Sequence, residues 1–269
     1  MPIHPTAMID ARAEIHPEAD IGPYVVVDGP VHVGPRTRVL AHATLTGWTA
    51  IGADNVIHMG AVVGHTPQDL AFTGEESYLR IGDRNVIREH VQIHRGTKPG
   101  SATEIGSDNY FMGNSHVGHN CRVGNGVIVA NGALFGGYVE VEDHVFVSGN
   151  CVVHQFVRIG RLAILRGLSR TSRDVPPFCI MDATHTVRAI NRVGLRRAGF
   201  TAAQIRALRN AFVRLFGHPG NLSKAIAALE SEPVSAEVRH LIDFIRASKR
   251  GVCFGPRPHA AAERPNGEC

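Results

Sequence analysis

The chain has 269 residues, 43% of them hydrophobic, which suffices for one soluble domain or two. Only 6% are aromatic while 29 are glycine, so the core is expected to be small and β-branched, with many tight backbone positions. The net charge is +4 and nowhere do 18 apolar residues run together, nor does a charged stretch followed by an apolar one open the chain, so neither a membrane span nor an export signal is read from it.

From the first residues an aliphatic recurs every sixth position: Ile3, Ile9, Ile15, Ile21, Val27, Val33, Val39, Leu45, Ile51, Ile57, Val63. Four positions after each stands a small or β-branched residue, as in Ala7, Ala13, Ala19, Val25 and Val31. Neither a helix nor an isolated strand has this period; a hexapeptide solenoid does. Three hexads make one triangular coil, and coils stack about 4.8 Å apart. A single coil has almost no interior, so its aliphatics are buried only by the coils above and below. Each buried aliphatic gains roughly 1.5–3 kcal/mol against about 1–2 kcal/mol of backbone entropy per ordered residue, which only a long stack can sustain.

Two stretches interrupt the ladder. The first, 69–80, puts Asp69 and Glu75 where aliphatics belong; the second, 99–104, follows Ile81, Ile87 and Ile93. Loops projecting from one face of a solenoid often carry binding residues, although tolerated surface insertions look the same. The count then resumes without a break through Ile105, Phe111, Val117, Val123, Val129, Phe135, Val141, Val147, Val153, Ile159 and Leu165. Past Leu165 it fades toward Asp174-Val-Pro-Pro177, where paired prolines are expected to stop regular pairing.

Beyond residue 180 the character changes. Thr201-Ala-Ala-Gln204 is a capping-box signature followed by Ile205, Leu208, Phe212, Leu215 and Phe216 at helical spacing. Leu222 to Leu229 and Ser235 to Ser248 read as two further helices, with Gly251 as a stop. The expected organisation is a β-solenoid over 1–180, a helical domain over 181–252, and a disordered polar tail over 253–269. Arginines cluster after the middle of the chain (Arg158, Arg161, Arg166, Arg170, Arg173, Arg188, Arg192, Arg196, Arg197), which suits an acidic partner and equally suits a solvated basic face. Five cysteines without a C-x-x-C pair fit a reducing compartment, the cytosol being the simplest.

In the unbroken segment, residues 18 apart should lie directly above one another. His119 then falls beneath Gly137 and Gly137 beneath Gln155, with Gly118 and Gly136 in the column of His154. This gathers a histidine, a backbone N–H, His154 and Gln155 within two coil steps, about 10 Å. A base beside a free backbone donor is what acyl transfer to a hydroxyl requires. The His116 and His119 pair raises a metal as an alternative, but no cysteine or carboxylate stands at ligand spacing beside it. Cys121 and Cys151 take the small-residue position of their hexads and read as core.

Several linked motifs carry a resemblance. Pro67-Gln-Asp-Leu70, Ile81-Gly-Asp-Arg-Asn85, Ile93-His-Arg-Gly-Thr97, Met112-Gly-Asn-Ser-His-Val-Gly-His119, Val153-His-Gln-Phe156, Asp174-Val-Pro-Pro177 and Gly194-Leu-Arg-Arg-Ala-Gly-Phe200 occur in order along nearly the whole chain. Together with the ladder they resemble the UDP-N-acetylglucosamine O-acyltransferases of lipid A biosynthesis. The resemblance implies a left-handed parallel β-helix with a helical C-terminal domain, contrary to the usual right-handed crossover preference. It further implies a cytoplasmic homotrimer with sites between subunits, moving a 3-hydroxyacyl chain from acyl carrier protein to the 3-position of a UDP-amino sugar. No cofactor is implied beyond the thioester donor, no nucleic-acid partner, and no stable membrane insertion.

By motif match, His119 would be the general base, Asn120 its partner, and Gly137 the oxyanion donor. Gln68, Asp69, His94, His116, Tyr138, His154 and Gln155 would contact substrate, Asn191 and Arg197 would approach the nucleotide, and Gly167 with Arg166 would set acyl length. This chain departs from the family pattern at four places. Asn120 stands where aspartate is usual, Tyr138 where histidine is common, Ala71 where many members have lysine, and Arg166 where the residue is often small. These changes surround the acceptor pocket and point also to N-acylation of a 3-amino analogue, an amine leaning less on a strong base. Asn120 and Tyr138 also motivate a solenoid that binds nucleotide sugar or acyl carrier protein without turnover, and the hexads are shared with metal-dependent hydratases.

Overall fold

The computed structural model describes residues 3–217 and 221–255. The described residues form three sheets of nine, eight and ten strands, parallel except for the last strand of the third, with successive hexad strands passing from sheet to sheet. This is the expected left-handed parallel β-helix followed by helices. In the unbroken segment every rung repeats at 18 residues, as in His116 over Leu134 and Leu134 over Val152 on the first sheet. The ladder residues from Ile21 onward point inward and are buried, with Phe111 and Phe135 the largest side chains inside the stack. Ile3, in the first described coil, is 40% exposed.

The corners are turned in the left-handed backbone region, frequently by residues other than glycine. Asn120, Tyr138 and Phe156 occupy one corner column, with φ of 59°, 60° and 63°. Inside another corner runs a ladder of amides. Asn85 gives its N–H and its amide to Asn55 Oδ1 (2.9 and 3.0 Å), and Asn85 Oδ1 in turn accepts the Asn109 N–H (3.0 Å). Asn109 Oδ1 then accepts the Val127 N–H at 2.7 Å. Each buried turn thereby receives the acceptor its own backbone cannot supply.

The two interruptions preserve the register. On the second sheet Trp48 pairs with Tyr78 and Tyr78 with Ala102, so the inserted lengths are whole hexads and the inward face stays inward. The first loop occupies 66–77, between strands Val62–His65 and Tyr78–Ile81. The second is shifted from its expected bounds: it occupies 95–101, because Ala102–Ile105 is a four-residue strand that includes Glu104.

The prolines do not end the solenoid. Val175 bridges back to Ile159, and strand Cys179–Asp182 continues the third sheet beside Ile164–Leu165 before turning antiparallel into Thr186–Ile190. Pro176 and Pro177 sit in the turn between, where no ladder N–H is needed. Four helices follow among the described residues: α1 Arg192–Arg197, α2 Ala202–Phe216, α3 Leu222–Glu230 and α4 Ala236–Arg246. The Thr201–Gln204 capping box starts α2 as its sequence indicates. Helix α4 ends at Ala247 rather than Gly251. It is fastened to the solenoid by a His240 to Glu142 contact of 2.9 Å and by Arg158 lying 4.2 Å over the Phe244 ring.

Residues 253–255 are part of the fold, contrary to the expected tail. Cys253 is fully buried, its N–H reaches Asp174 O at 2.8 Å, and Phe254 bridges Thr186. The rest of that expected tail, 256–269, lies outside the described residues. The four described cysteines are buried and free, and desolvation pushes the Cys121 thiol up to about 12, so both Cys121 and Cys151 serve as core. The arginine cluster is divided. Arg158 faces Glu140 and Asp174, and Arg166 and Arg188 share Asp182, whereas Arg161, Arg170 and Arg173 are exposed on the solenoid and Arg192, Arg196 and Arg197 are exposed on α1.

Candidate active site

A cleft of about 410 Å³ opens on the first sheet, lined by Gln68, His94, His116, Gly118, His119, Leu134 to Gly137 and Val152 to Gln155. His119 lies at its inner corner with only 12% of its side chain exposed. Its Nδ1 is 3.0 Å from Asn120 Oδ1, which also accepts the Thr97 N–H at 2.9 Å. An amide oxygen can only accept, so Nδ1 carries the proton and Nε2 keeps a free lone pair. Asp69 reaches in from the first loop and places Oδ2 3.6 Å from that Nε2. Tyr138 meets the imidazole edge-on at 5.3 Å and stacks on Phe156 at 4.8 Å.

Gly137 sits against His119 as the 18-residue spacing requires. A Cβ there would stand 2.5 Å from both His119 Cε1 and Nε2, so only glycine leaves room for the ring. The Gly137 N–H has no hydrogen-bond partner among the described residues. A nitrogen base thus lies beside both a carboxylate and a glycine whose backbone donor is unused among the described residues.

Of the neighbouring histidines, His116 is pushed down to about 4, first by burial and then by the adjacent His94 and His119. Burial likewise lowers His94, whose Nδ1 donates to Thr66 O at 2.7 Å and whose Nε2 is buried without a partner. Both rings are neutral at pH 7, tilted by 49° with centroids 5.1 Å apart, and both line the cleft.

Residues 102–137 match the bacterial transferase hexapeptide family, and residues 174–253 match the family described as UDP N-acetylglucosamine O-acyltransferase, domain 2. An acyl-[acyl-carrier-protein]–UDP-N-acetylglucosamine O-acyltransferase from Anaeromyxobacter dehalogenans is 43% identical over 94% of this chain and 99% of its own. The chain belongs to the UDP-N-acetylglucosamine O-acyltransferase family. Its relative from Syntrophobacter fumaroxidans, of the same name, is 41% identical over 94% of this chain and 99% of its own. Among solved structures, the UDP-N-acetylglucosamine acyltransferase from Bacteroides fragilis superposes with TM-score 0.88 at 39% identity, covering 93% of this chain and 99% of that one. The homologue from Acinetobacter baumannii gives 0.89 at 39% identity over 94% and 99%.

Within this O-acyltransferase fold the sequence-derived residues divide. Gln68, His94, His116, His119, Gly137, His154 and Gln155 all line the cleft; Asp69, Asn120 and Tyr138 touch His119. Asn191 does not reach the cleft. It is 4% exposed, caps α1 by accepting the Gly194 N–H (2.9 Å), and donates to Leu162 O (2.8 Å), so its amide is committed to the chain. Arg197 stands exposed in the last turn of α1. Gly167 lies in an exposed turn where a Cβ would meet Gly149 O at 3.6 Å, an ordinary contact, and Arg166 is drawn aside to Asp182 at 3.2 Å.

Sequence reasoning missed three contributors to the acyltransferase cleft. Leu134 and Val152 are 41% and 47% exposed, stack in register above His116, and form an apolar wall. The equivalent outward positions of the second sheet carry Arg122 and Glu140, so an aliphatic residue there was a legible signal. The third is Arg250, whose Nη2 lies 3.4 Å from His154 Nδ1 while its Nε holds Ser172 O. No period announces that contact across 96 residues. A larger groove of about 610 Å³ on the second sheet runs between the stacked Arg80, Glu104, Arg122 and Glu140, and brings no nucleophile, base or free donor together.

Proposed function

We propose that the chain moves an acyl group from the thioester of acyl carrier protein to the 3-hydroxyl of UDP-N-acetylglucosamine, the first step of lipid A biosynthesis. The observation that carries the chemistry is the His119 ring, held by Asn120 on one nitrogen and facing Gly137 and Asp69 with the other. His119 Nε2 takes the proton of the acceptor hydroxyl as its oxygen attacks the thioester carbonyl. The tetrahedral oxyanion lies against the Gly137 N–H. Collapse breaks the C–S bond, and the departing thiolate takes the proton back from the imidazolium, leaving the ester and free carrier thiol. The sequence needs no metal or further cofactor to balance. Asp69 supplies the imidazolium with a nearby negative charge that the neutral Asn120 lacks.

The polar edges of His116 and His154 with Gln68 and Gln155 suit a sugar, and Leu134 with Val152 suits the first part of an acyl chain that runs toward the exposed turn at Gly167. Arg197, exposed and without an ion pair among the described residues, suits a diphosphate, and Arg192 and Arg196 beside it suit the acidic carrier protein. That arginine would reach a cleft from a neighbouring subunit in a homotrimer, which the exposed ring of Phe156 at the rim also favours. The buried free cysteines favour a cytoplasmic setting.

Purified protein given 3-hydroxyacyl carrier proteins and UDP-N-acetylglucosamine should form the 3-O-ester by mass spectrometry. His119→Ala should lose about 10²–10⁴ in rate. Unchanged turnover would leave only a binding module. A second reading, amide formation on the 3-amino sugar, is favoured by the neutral Asn120 at His119 Nδ1; clear preference for the hydroxyl sugar in direct competition would reject it.

A further inference from the structure

Arg95 is a cation buried in the solenoid with no carboxylate against it among the described residues. It is 6% exposed; Nη1 donates to Gly64 O at 3.1 Å, and Nε has no partner among the described residues. Its guanidinium carbon lies 5.7 Å from the Trp48 ring centre and 5.4 Å from that of Phe72. Gly47 and Gly64 both have positive φ, and a Cβ on Gly47 would stand 2.7 Å from Nη1, so the backbone is shaped around this side chain. A desolvated guanidinium between two rings is worth roughly 2 kcal/mol or less per ring, modest beside the cost of burying an unpaired charge. The fold tolerates that cost, and the two rings show where the return lies. Trp48 belongs to the second sheet, whereas Phe72 belongs to the loop 66–77.

That loop spans two coil steps, leaving the first sheet beside Val63 and arriving at His119 beside Val117. Its start is held by His94 Nδ1 on Thr66 O. Farther along, Leu70, Ala71, Thr73 and Gly74 are exposed, and Phe72 is the half-buried residue among them. The turn is closed on itself: Phe72 N–H donates to Asp69 O (3.0 Å) and Ala71 N–H to Asp69 Oδ1 (3.0 Å). Whatever holds the Phe72 ring therefore fixes the Asp69 carboxylate, which ends 3.6 Å from His119 Nε2.

We infer that Arg95 is a positioning residue for acyl transfer, clamping the Phe72 ring so that the turn Asp69 to Phe72 keeps its carboxylate against the His119 base. The inference rests on the proposed role of His119 and goes beyond it, because Arg95 and Phe72 line no part of the cleft. It explains why a guanidinium rather than an aliphatic fills this buried position: its cation lies 5.7 and 5.4 Å from the two ring centres while it donates to Gly64 O.

The test is a mutant cycle read in kcat and KM. Phe72→Leu and Arg95→Met should each lower kcat by about ten- to a hundredfold, the scale of a misplaced catalytic group, with the KM for acyl carrier protein unchanged. Phe72→Tyr, which keeps the ring, should restore turnover. In an Asp69→Asn background, Phe72→Leu should cost less than about twofold more, because the group it positions is already gone. Full, additive losses in that background, or wild-type kcat in Phe72→Leu, overturn the clamp. Arg95→Met carries a risk to folding, whereas Phe72→Leu in an exposed loop should leave the melting temperature unchanged, so the cycle stands on Phe72 alone if necessary. Undiminished turnover in His119→Ala would overturn the base itself; an inactive His119→Ala with additive Phe72 losses would overturn only the clamp.

Discussion

The amide of Asn120 bridges two parts of the chain: its Oδ1 receives His119 Nδ1 at 3.0 Å and the Thr97 N–H at 2.9 Å. The second loop therefore orients the ring that the first loop faces. Asn120→Ala should lower kcat by about 10- to 100-fold through loss of the fixed tautomer, with less change in substrate KM. Asn120→Asp, which keeps both acceptor roles and adds charge, should hold or raise kcat on the hydroxyl acceptor. Steady-state kinetics on the two variants decides whether orientation or charge matters more.

Gly137→Ala places a methyl 2.5 Å from His119 Cε1 and Nε2. Gly137 does not have a positive φ, so the backbone accepts alanine and the collision falls on the imidazole alone. Turnover should drop by about 10²–10³, the scale of losing an oxyanion donor or displacing a base, while thermal stability changes little. A fold that melts far below the parent would show that the glycine serves packing instead.

His116 links stability to pH. Its ordinary value of 6.5 falls to about 4 in the fold, and His94 shifts the same way. Between those two values the unfolded chain binds a proton that the native ring does not, so stability present above pH 6.5 is lost as pH falls toward 4. The shift corresponds to on the order of 2–3 kcal/mol. Melting curves from pH 7.5 to 4.5 should slope downward, and His116→Gln should flatten the slope.

The buried amide ladder predicts a purely structural loss. Asn85→Ala strands the Asn109 N–H and removes the amide contacts to Asn55 Oδ1 and Gly106 O, all within the core. Leaving such groups without partners should cost about 2–4 kcal/mol in chemical denaturation. Catalytic constants of the protein that remains folded should match the parent.

The solenoid, its register and the juxtaposition of His119 with Gly137 follow from a spacing, because a period of six repeated three times converts distance along the chain into neighbours in space. The capping box of α2 was equally local and equally legible. What the spacing cannot convey is where an aperiodic segment goes. Asp69 reaches His119 through a loop that has no rung of its own, and Arg250 reaches His154 from beyond the last helix. Asn191 shows the complementary failure: the motif around it is recognisable, yet its amide is consumed by the helix it starts. Strand Cys179–Asp182 resumes the third sheet after two prolines because a turn, unlike a rung, needs no donor from them.

Because both loops enter and leave on whole hexads, the molecule is read in frame, much as a message is. Extra length is silent when it arrives in sixes. A single residue added between His119 and Gly137 would instead advance every later side chain by one place, turning aliphatics outward and sliding the donor off the base. A substitution harms the site at one position, but its geometry as a whole depends on a count.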